Sequence, residues 1–400
     1  MNLTSDHPYW GICNGLVASY PSLTEDLRCE CAVVGGGITG ALVGFHLAKA
    51  DIDTVVLDRR DIGTGSTSGS TGLLQYEVDV PLRELRARVG PDAANRSYLL
   101  CRGAIRKLAS LIRANHLQCG FRLRPSLQMA RFKSESTALE TEHRLRRELG
   151  IRVSLWDETQ ITRHFPFARP AALFSEDGAE VDPHTLTHGL LAVGRQRGLR
   201  VFDRTQVTAI SETRRGVRLR TRTGVTVAAR RAVVAAGFES KEFLTQNSGQ
   251  LKSTYAVVSE PVEDLSDWHR QCLIWETGIP YLYLRTLPDR RIIIGGEDEP
   301  FVNSLTRDAL ISDKARILKR KFNKLFPQIK FEVAYAWAGT FGQTKDGLPY
   351  IGRPKRHPHS YFALGYGGNG ITYSLIAAEI IRDDFLGRAN PDAAIFSFGR

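Results

Sequence analysis

One stretch, "ECAVVGGGITGALVGFHLAKADIDTVVLDRRDIGTGSTSGS" (residues 30–70), constrains the fold more than any other. Residues 31–34 form a short apolar run, Gly35, Gly37 and Gly40 supply G-x-G-x-x-G, and residues 38–49 carry helical periodicity. A second apolar run, "TVVLD", ends at Asp58, 18 residues after Gly40. Strand, glycines, helix, strand and terminal acid in this order form the fingerprint of a dinucleotide-binding βαβ unit. Gly35 permits the tight turn, Gly37 lets the backbone approach a pyrophosphate, and Gly40 lets helix and strand pack closely. Ile38 and Thr39 open the helix, whose free N–H groups and positive dipole end suit phosphate. Asp58, with Arg59 beside it, stands where ribose hydroxyls would be met.

The 400 residues are enough for two sizeable cores, and 42% hydrophobic with 24% charged residues is ordinary for a soluble globular chain. The formal charge of +11 comes mostly from scattered arginines, which argues against specific nucleic-acid binding. The densest basic run, "KARILKRKFNKLFPQIK" (residues 314–330), has apolar residues at helical spacing. It reads as a solvated helix face or, alternatively, as a weak docking face for a membrane or an acidic partner. Six cysteines lack metal-ligand spacing or a disulfide framework, which implies reduced thiols, a cytoplasmic protein and no metal site. The N-terminal residues show no basic run followed by an apolar one, so no secretion signal is expected. Residues 31–48 are apolar, but their glycines and the polar segment after them argue against a membrane span.

Past Asp58 the run "DIGTGSTSGSTGLLQYE" (residues 61–77) is a long Gly/Ser/Thr loop where a nicotinamide enzyme would continue directly into another helix. Here the chain resembles the FAD-binding domain of the D-amino acid oxidase, glycine oxidase and sarcosine oxidase-like family. The resemblance implies that Ser66 and Thr67 bind phosphate or ribitol oxygens and that Gly72, Leu73 and Leu74 lie against the flavin. It places Val207 near the adenine and brings Gly237, at the end of "VTVAARRAVVAAG", to the cofactor.

Residues 81–149 read as helical, with amphipathic stretches near 91–115 and 135–149. "EVDPHTLTHGLLAVGRQRG" (residues 180–198) is a helix capped by Asp182 with Pro183 in its first turn. Strand-like runs follow between residues 199 and 237, and again at "STYAVVSEPV", "PYLYLRTL" and "RIIIGGE" before the basic helix. The expected architecture is α/β (α+β overall): a Rossmann-like FAD-binding domain and a second, antiparallel-sheet substrate domain. A discontinuous FAD-binding domain of 29–80, 181–245 and 335–390 is expected, with 81–180 and 246–334 forming the substrate domain.

A second glycine-rich helix start, "GYGGNGITYS" (residues 365–374), lies near the C-terminus. In the family this junction returns to the flavin, so Gly368, Gly370, Ile371 and Thr372 would face the pyrimidine end of its ring. Relatives carry a carboxylate-gripping Arg in a G-L-R-P-G-T-x-D-G segment, matched here by "GTFGQTKDG" with Phe341 at the Arg position. Some carry another Arg where this chain has Gly368. Both anchors are missing, which turns the expectation toward amines, or toward amino acids whose carboxylate is held elsewhere. "YLYLR" puts Tyr281, Tyr283 and Arg285 on one face of a strand. The tyrosines could wall a pocket, and Arg285 is either a replacement anchor or an exposed sheet residue. Glu77 is either an attractor of ammonium or, as favoured, a solvated acid. Non-covalent FAD is expected, since residues 337–352 contain no Cys. The resemblance implies hydride transfer from the C–H beside an amine nitrogen to flavin N5, with no dedicated acid–base side chain. Oxygen, a quinone or a carrier would be the acceptor. The alternative is a flavin-binding subunit or RNA-associated flavoprotein with little small-molecule turnover.

Overall fold

The first apolar run becomes the strand Leu27–Val34, buried over its C-terminal half and half-exposed before it. It starts earlier than residue 31 because Leu27–Cys29 already pair with Val227–Ala229. The computed structural model describes residues 2–5, 7–244 and 249–400. Parallel neighbours flank the strand, Thr226–Val234 on one side and Thr54–Leu57 on the other. Ser360–Leu364 and Arg200–Phe202 extend the parallel sheet outward, and Tyr350–Gly352 closes one edge antiparallel. Every residue of the helix Ile38–Ala48 is buried, as expected for a helix packed between a sheet and further helices. Those outer helices include Pro91–Ala114, Pro183–Arg195 and Gly370–Phe385, which share one apolar core with it. Asp182 caps Pro183–Arg195 as expected, accepting from the N–H groups of His184 (2.9 Å) and Thr185 (3.1 Å).

The second sheet runs in the order Val333–Gln343, Gln250–Ser259, Ile292–Glu299, Leu282–Thr286, Leu273–Glu276, Arg122–Met129, Ala171–Glu180, Leu73–Leu74. All neighbours along that order are antiparallel except Leu273–Glu276 with Arg122–Met129, which run parallel. The basic helix Ile311–Leu325 packs Leu318, Phe322 and Leu325 into the core beneath this sheet.

Two expectations need correction. Residues 81–149 are not helical throughout, because Arg122–Met129 is a strand. Its last five residues are buried, so no alternation marks it, and Pro125 sits where the ladder register shifts. The division of the chain differs as well. Val333–Gln343 pairs with Gln250–Ser259 in the second sheet, and Pro91–Ala114 packs in the core of the first. The N-terminal residues cover the edge of Val333–Gln343: Ser5 N–H donates to Ala338 O (2.9 Å) and Thr340 N–H to Leu3 O (2.7 Å).

Candidate functional site

At the first glycine turn Gly35 has φ +112°, and a Cβ there would overlap the carbonyl of Ala235. Gly40 stands one turn into the helix against Gly35 O, a contact no larger residue allows. Gly37, at the N-cap of the helix Ile38–Ala48, has no side chain to cap it. Ile38 N–H donates to Thr67 Oγ1 (3.0 Å), so the Gly/Ser/Thr loop folds back onto the helix start. Ser66 Oγ, buried beside it, has no hydrogen-bond partner among the described residues. Gly35, Gly37, Thr39, Ser66 and Thr67 line a long cleft. Asp58 lines it too, its Oδ2 accepting from Gly36 N–H (2.6 Å) and its Oδ1 from Arg60 N–H (2.8 Å). Burial pushes the Asp58 carboxyl up, against those two hydrogen bonds. Arg59 and Arg60 both pair with Glu239, and Val207 and Gly237 complete this end of the cleft.

The loop is then pinned by three consecutive carbonyls. Trp337 Nε1 donates to Gly69 O (3.0 Å), Trp10 Nε1 to Ser70 O (2.6 Å) and Arg285 Nε to Thr71 O (2.8 Å). Gly72 supports the loop from behind the cleft, where a Cβ would strike Val181 O, while Leu73 and Leu74 face into it.

At the second glycine turn Asn369 precedes the helix Gly370–Phe385 without capping it. Its side chain instead donates to Gln75 O (3.0 Å) and Glu77 O (2.9 Å), tying this turn to the end of the loop. Gly370, Ile371 and Thr372 therefore carry the helix's first N–H groups to the cleft with no carbonyl a turn below them. Thr39 Oγ1 and Ser374 Oγ lie 2.7 Å apart, so the two helix starts are side by side. Gln75 Nε2 also lines the cleft, buried and without a partner among the described residues.

Tyr281, Tyr283 and Phe341 line the far end, as the sequence suggests. Arg285 does not. It is 1% exposed, pairs with Glu180 (3.4 Å), donates to Thr71 O and Val181 O, and lies over the Trp10 ring. Its donors are spent inside the protein, so it is neither a substrate anchor nor an exposed sheet residue. Glu77 is likewise no solvated acid: it is 4% exposed and held by Arg146 (3.4 Å), itself fully buried with Glu142 and Gln128.

Sequence reasoning missed the polar groups around the tyrosines. Asp79, Asp298, Lys252, Thr254 and Trp275 all line this end of the cleft. Asp79 Oδ2 accepts from Gly368 N–H (2.8 Å). Burial, reinforced by Asp298, pushes the Asp79 carboxyl up to about 6, and burial raises Asp298 as well. Tyr281 is pushed up to about 12 by burial and these carboxylates. The only sequence signal was "EVDV" directly after the loop, two acids alternating with buried valines.

The cleft reaches from Val207 past both helix starts to Tyr283. Two glycine-led helix starts, Ser66 and Gln75 without partners among the described residues, and an acid at the far strand end fit a dinucleotide that also spans the second start. Among the described residues no cluster suits a metal ion, and no helix is long and apolar enough to cross a membrane. All six cysteines are free. The basic helix spends much of its charge internally: Lys314 pairs with Glu299 (2.5 Å), Lys319 with Glu332 (2.7 Å), Lys321 with Glu297 and Arg316 with Asp313.

Comparison with known proteins agrees with this geometry. A family model described as FAD dependent oxidoreductase matches residues 30–383. The gamma-glutamylputrescine oxidoreductase of Escherichia coli (strain K12) is 28% identical over 390 residues, covering 94% of this chain and 89% of the relative. The glycine oxidase of Bacillus licheniformis is 26% identical over 380 residues, covering 90% and 94%. Among solved structures, glycine oxidase from Geobacillus kaustophilus superposes with a TM-score of 0.76 at 22% identity, over 94% of this chain and 99% of that one.

Proposed function

The chain belongs to the family of FAD-dependent oxidoreductases, and on that premise we propose that its cleft oxidises the C–N bond of an amine or amino-acid-like substrate. The observation that carries this is the convergence of both glycine-led helix starts and Asp58 on one cleft that continues to the tyrosine-walled end. The first turn of the helix at Gly37, Ile38 and Thr39, where Thr67 Oγ1 now takes the Ile38 N–H, would with Ser66 and Thr67 hold the pyrophosphate and ribitol of non-covalent FAD. Asp58 and Arg59 would meet the ribose, Val207 and Gly237 the adenine, and Leu73 and Leu74 the ring. Bound there, FAD would supply the acceptor for a hydride from the C–H beside the substrate nitrogen, giving an imine that water hydrolyses.

The chain's own groups orient, shield and stabilise. Gly370, Ile371 and Thr372 present N–H groups and the positive end of a 16-residue helix to negative charge arising at the far end of the cofactor. Tyr281, Tyr283 and Phe341 wall off water around the reacting carbon. Tyr283 lies flat on the sheet because its cross-strand partner is Gly295, where a Cβ would stand 2.6 Å from its hydroxyl. No acid–base side chain is needed beyond removal of one amine proton to water.

The purified protein is expected to be yellow, and at least one amine to bleach it in the absence of oxygen. Oxygen, a quinone or a carrier protein added afterwards identifies the acceptor by restoring the colour. A protein that binds no FAD, or a flavin that no amine or amino acid reduces, would sink this reading.

A further inference from the structure

We infer that Asp79, seated against Gly367 and Gly368 at the substrate end of the cleft, is the anchor for a cationic nitrogen, and that the preferred substrate is an amine without an α-carboxylate. This rests on the function proposed above and names its substrate class.

The seat is built by the glycines. A Cβ on Gly367 would overlap Asp79 Oδ2, and one on Gly368 would stand 2.7 Å from Oδ1, so any side chain there would displace the carboxylate. Among the described residues the Asp79 side chain keeps one hydrogen bond, from Gly368 N–H, and that loop leads directly into the helix Gly370–Phe385. The carboxylate is thus held beside the second helix start. Among the described residues it makes no ion pair within 4.0 Å, and the same holds for Asp298. Glu77, 4% exposed, also lines the cleft, and its Oε2 accepts no hydrogen bond among the described residues. Trp275 Nε1 is buried there without a partner as well.

The charges that face Asp79 come from every neighbouring element. Asp298 comes from Ile292–Glu299 and Lys252 from Gln250–Ser259; Tyr281 precedes Leu282–Thr286, and Tyr373 lies in Gly370–Phe385. Two carboxylates against one ammonium leave this end of the cleft net negative even before Glu77, whose partner is Arg146. A carboxylate partly withdrawn from water, as Asp79 is, favours a cation beside it. An α-carboxylate would meet Lys252 but also both aspartates. Phe341, directly across the ladder from Lys252, adds an apolar wall and no charge.

The pH dependence has a definite sign. An alkylamine stays protonated well above neutrality, whereas Asp79, pushed up to about 6, takes a proton as pH falls through that value. Cation binding is therefore expected to weaken below about pH 6 and to be full above pH 7.

The test uses the FAD-loaded full chain and three probes of one size: n-butylamine, n-butanol and butyrate. Binding is read from the perturbed absorbance of the oxidised flavin on rapid anaerobic mixing, before any bleaching. The cation should bind about tenfold or more tighter than either other probe, with the advantage fading below about pH 6. Asp79→Asn keeps an acceptor for Gly368 N–H and removes the charge. It should raise the amine KM about tenfold or more, exceed any fall in kcat, and flatten the acid limb. Asp298→Asn gives a second reading of the same field and should weaken amine binding in the same direction. Butyrate binding as tightly as butylamine in the wild-type chain would overturn the inference, whatever the variants do. So would reduction by α-amino acids that Lys252→Met abolishes and Asp79→Asn spares. In either case the oxidoreductase reading stands as long as some amine or amino acid reduces the flavin, which the anaerobic bleaching assay reads separately. A flavin that no compound reduces overturns that reading instead.

Discussion

Arg146 shows how far a residue's role can lie from its appearance in sequence. In "HRLRRELG" it is one of several basic residues on an amphipathic helix, yet its neighbours Arg144 and Arg147 face outward while it is fully buried. It reaches Glu142 one turn back (3.1 Å), Gln128 on the second sheet (2.8 Å) and Glu77 beside the cleft (3.4 Å). Replacing it by Met leaves two buried carboxylates without their cation, which should cost about 3–5 kcal/mol of stability. The double change Arg146→Met with Glu77→Gln should recover a good part of that. Urea unfolding of the FAD-loaded variants measures both; a single-variant loss under about 1 kcal/mol would mean water reaches the pair. The expectation that Glu77 is solvated failed for the same reason: an acid at the end of a polar loop gives no sign of a partner 69 positions away. Asp79 was illegible for another reason. Its meaning depends on Gly367 and Gly368, and glycines in sequence do not say what fills the space they leave.

At the scale of elements, what was legible is what is local. Both helix starts, the strand before the first one, the Asp182 cap and the basic helix follow from residues within one or two turns of each other. The strand Arg122–Met129 was missed because both its faces are covered and Pro125 breaks its pattern. The clamp on the Gly/Ser/Thr loop was invisible because its donors lie 60, 214 and 268 residues from the carbonyls they hold. That clamp makes a prediction. Trp10 belongs to the short helix Tyr9–Asn14, packed on Trp337 and on the loop itself. Trp10→Phe keeps the ring but removes the donor to Ser70 O, a loss of about 1 kcal/mol. If the loop must hold its shape to grip FAD, the FAD dissociation constant should rise about fivefold. Fluorescence of FAD released on dilution gives that constant directly. A variant that retains FAD as tightly as the parent would show that the loop keeps its course without this bond.

For the whole molecule the question is how strongly two sheets depend on one ligand. The chain passes between them repeatedly: the Gly/Ser/Thr loop leaves the first sheet after Thr54–Leu57 and joins the second at Leu73–Leu74, and Val333–Gln343 returns toward Tyr350–Gly352 in the first. The cleft takes Gly35, Asp58 and Val207 from one side and Tyr283, Phe341 and Asp298 from the other. A ligand filling it touches both, so its binding free energy acts on both at once. With free FAD at a hundred times its dissociation constant, the folded state should gain about 2.7 kcal/mol. Because both sheets share the cleft, that gain should appear in both. Thermal unfolding should shift upward as a single transition, and hydrogen exchange should slow in Leu27–Val34 and in Leu282–Thr286 alike. Slowing confined to the first sheet would mean that FAD closes only its nucleotide half against the protein. The walls of Tyr281 and Tyr283 would then be ordered by substrate, and an amine added anaerobically to the loaded protein should supply the missing protection in the second sheet.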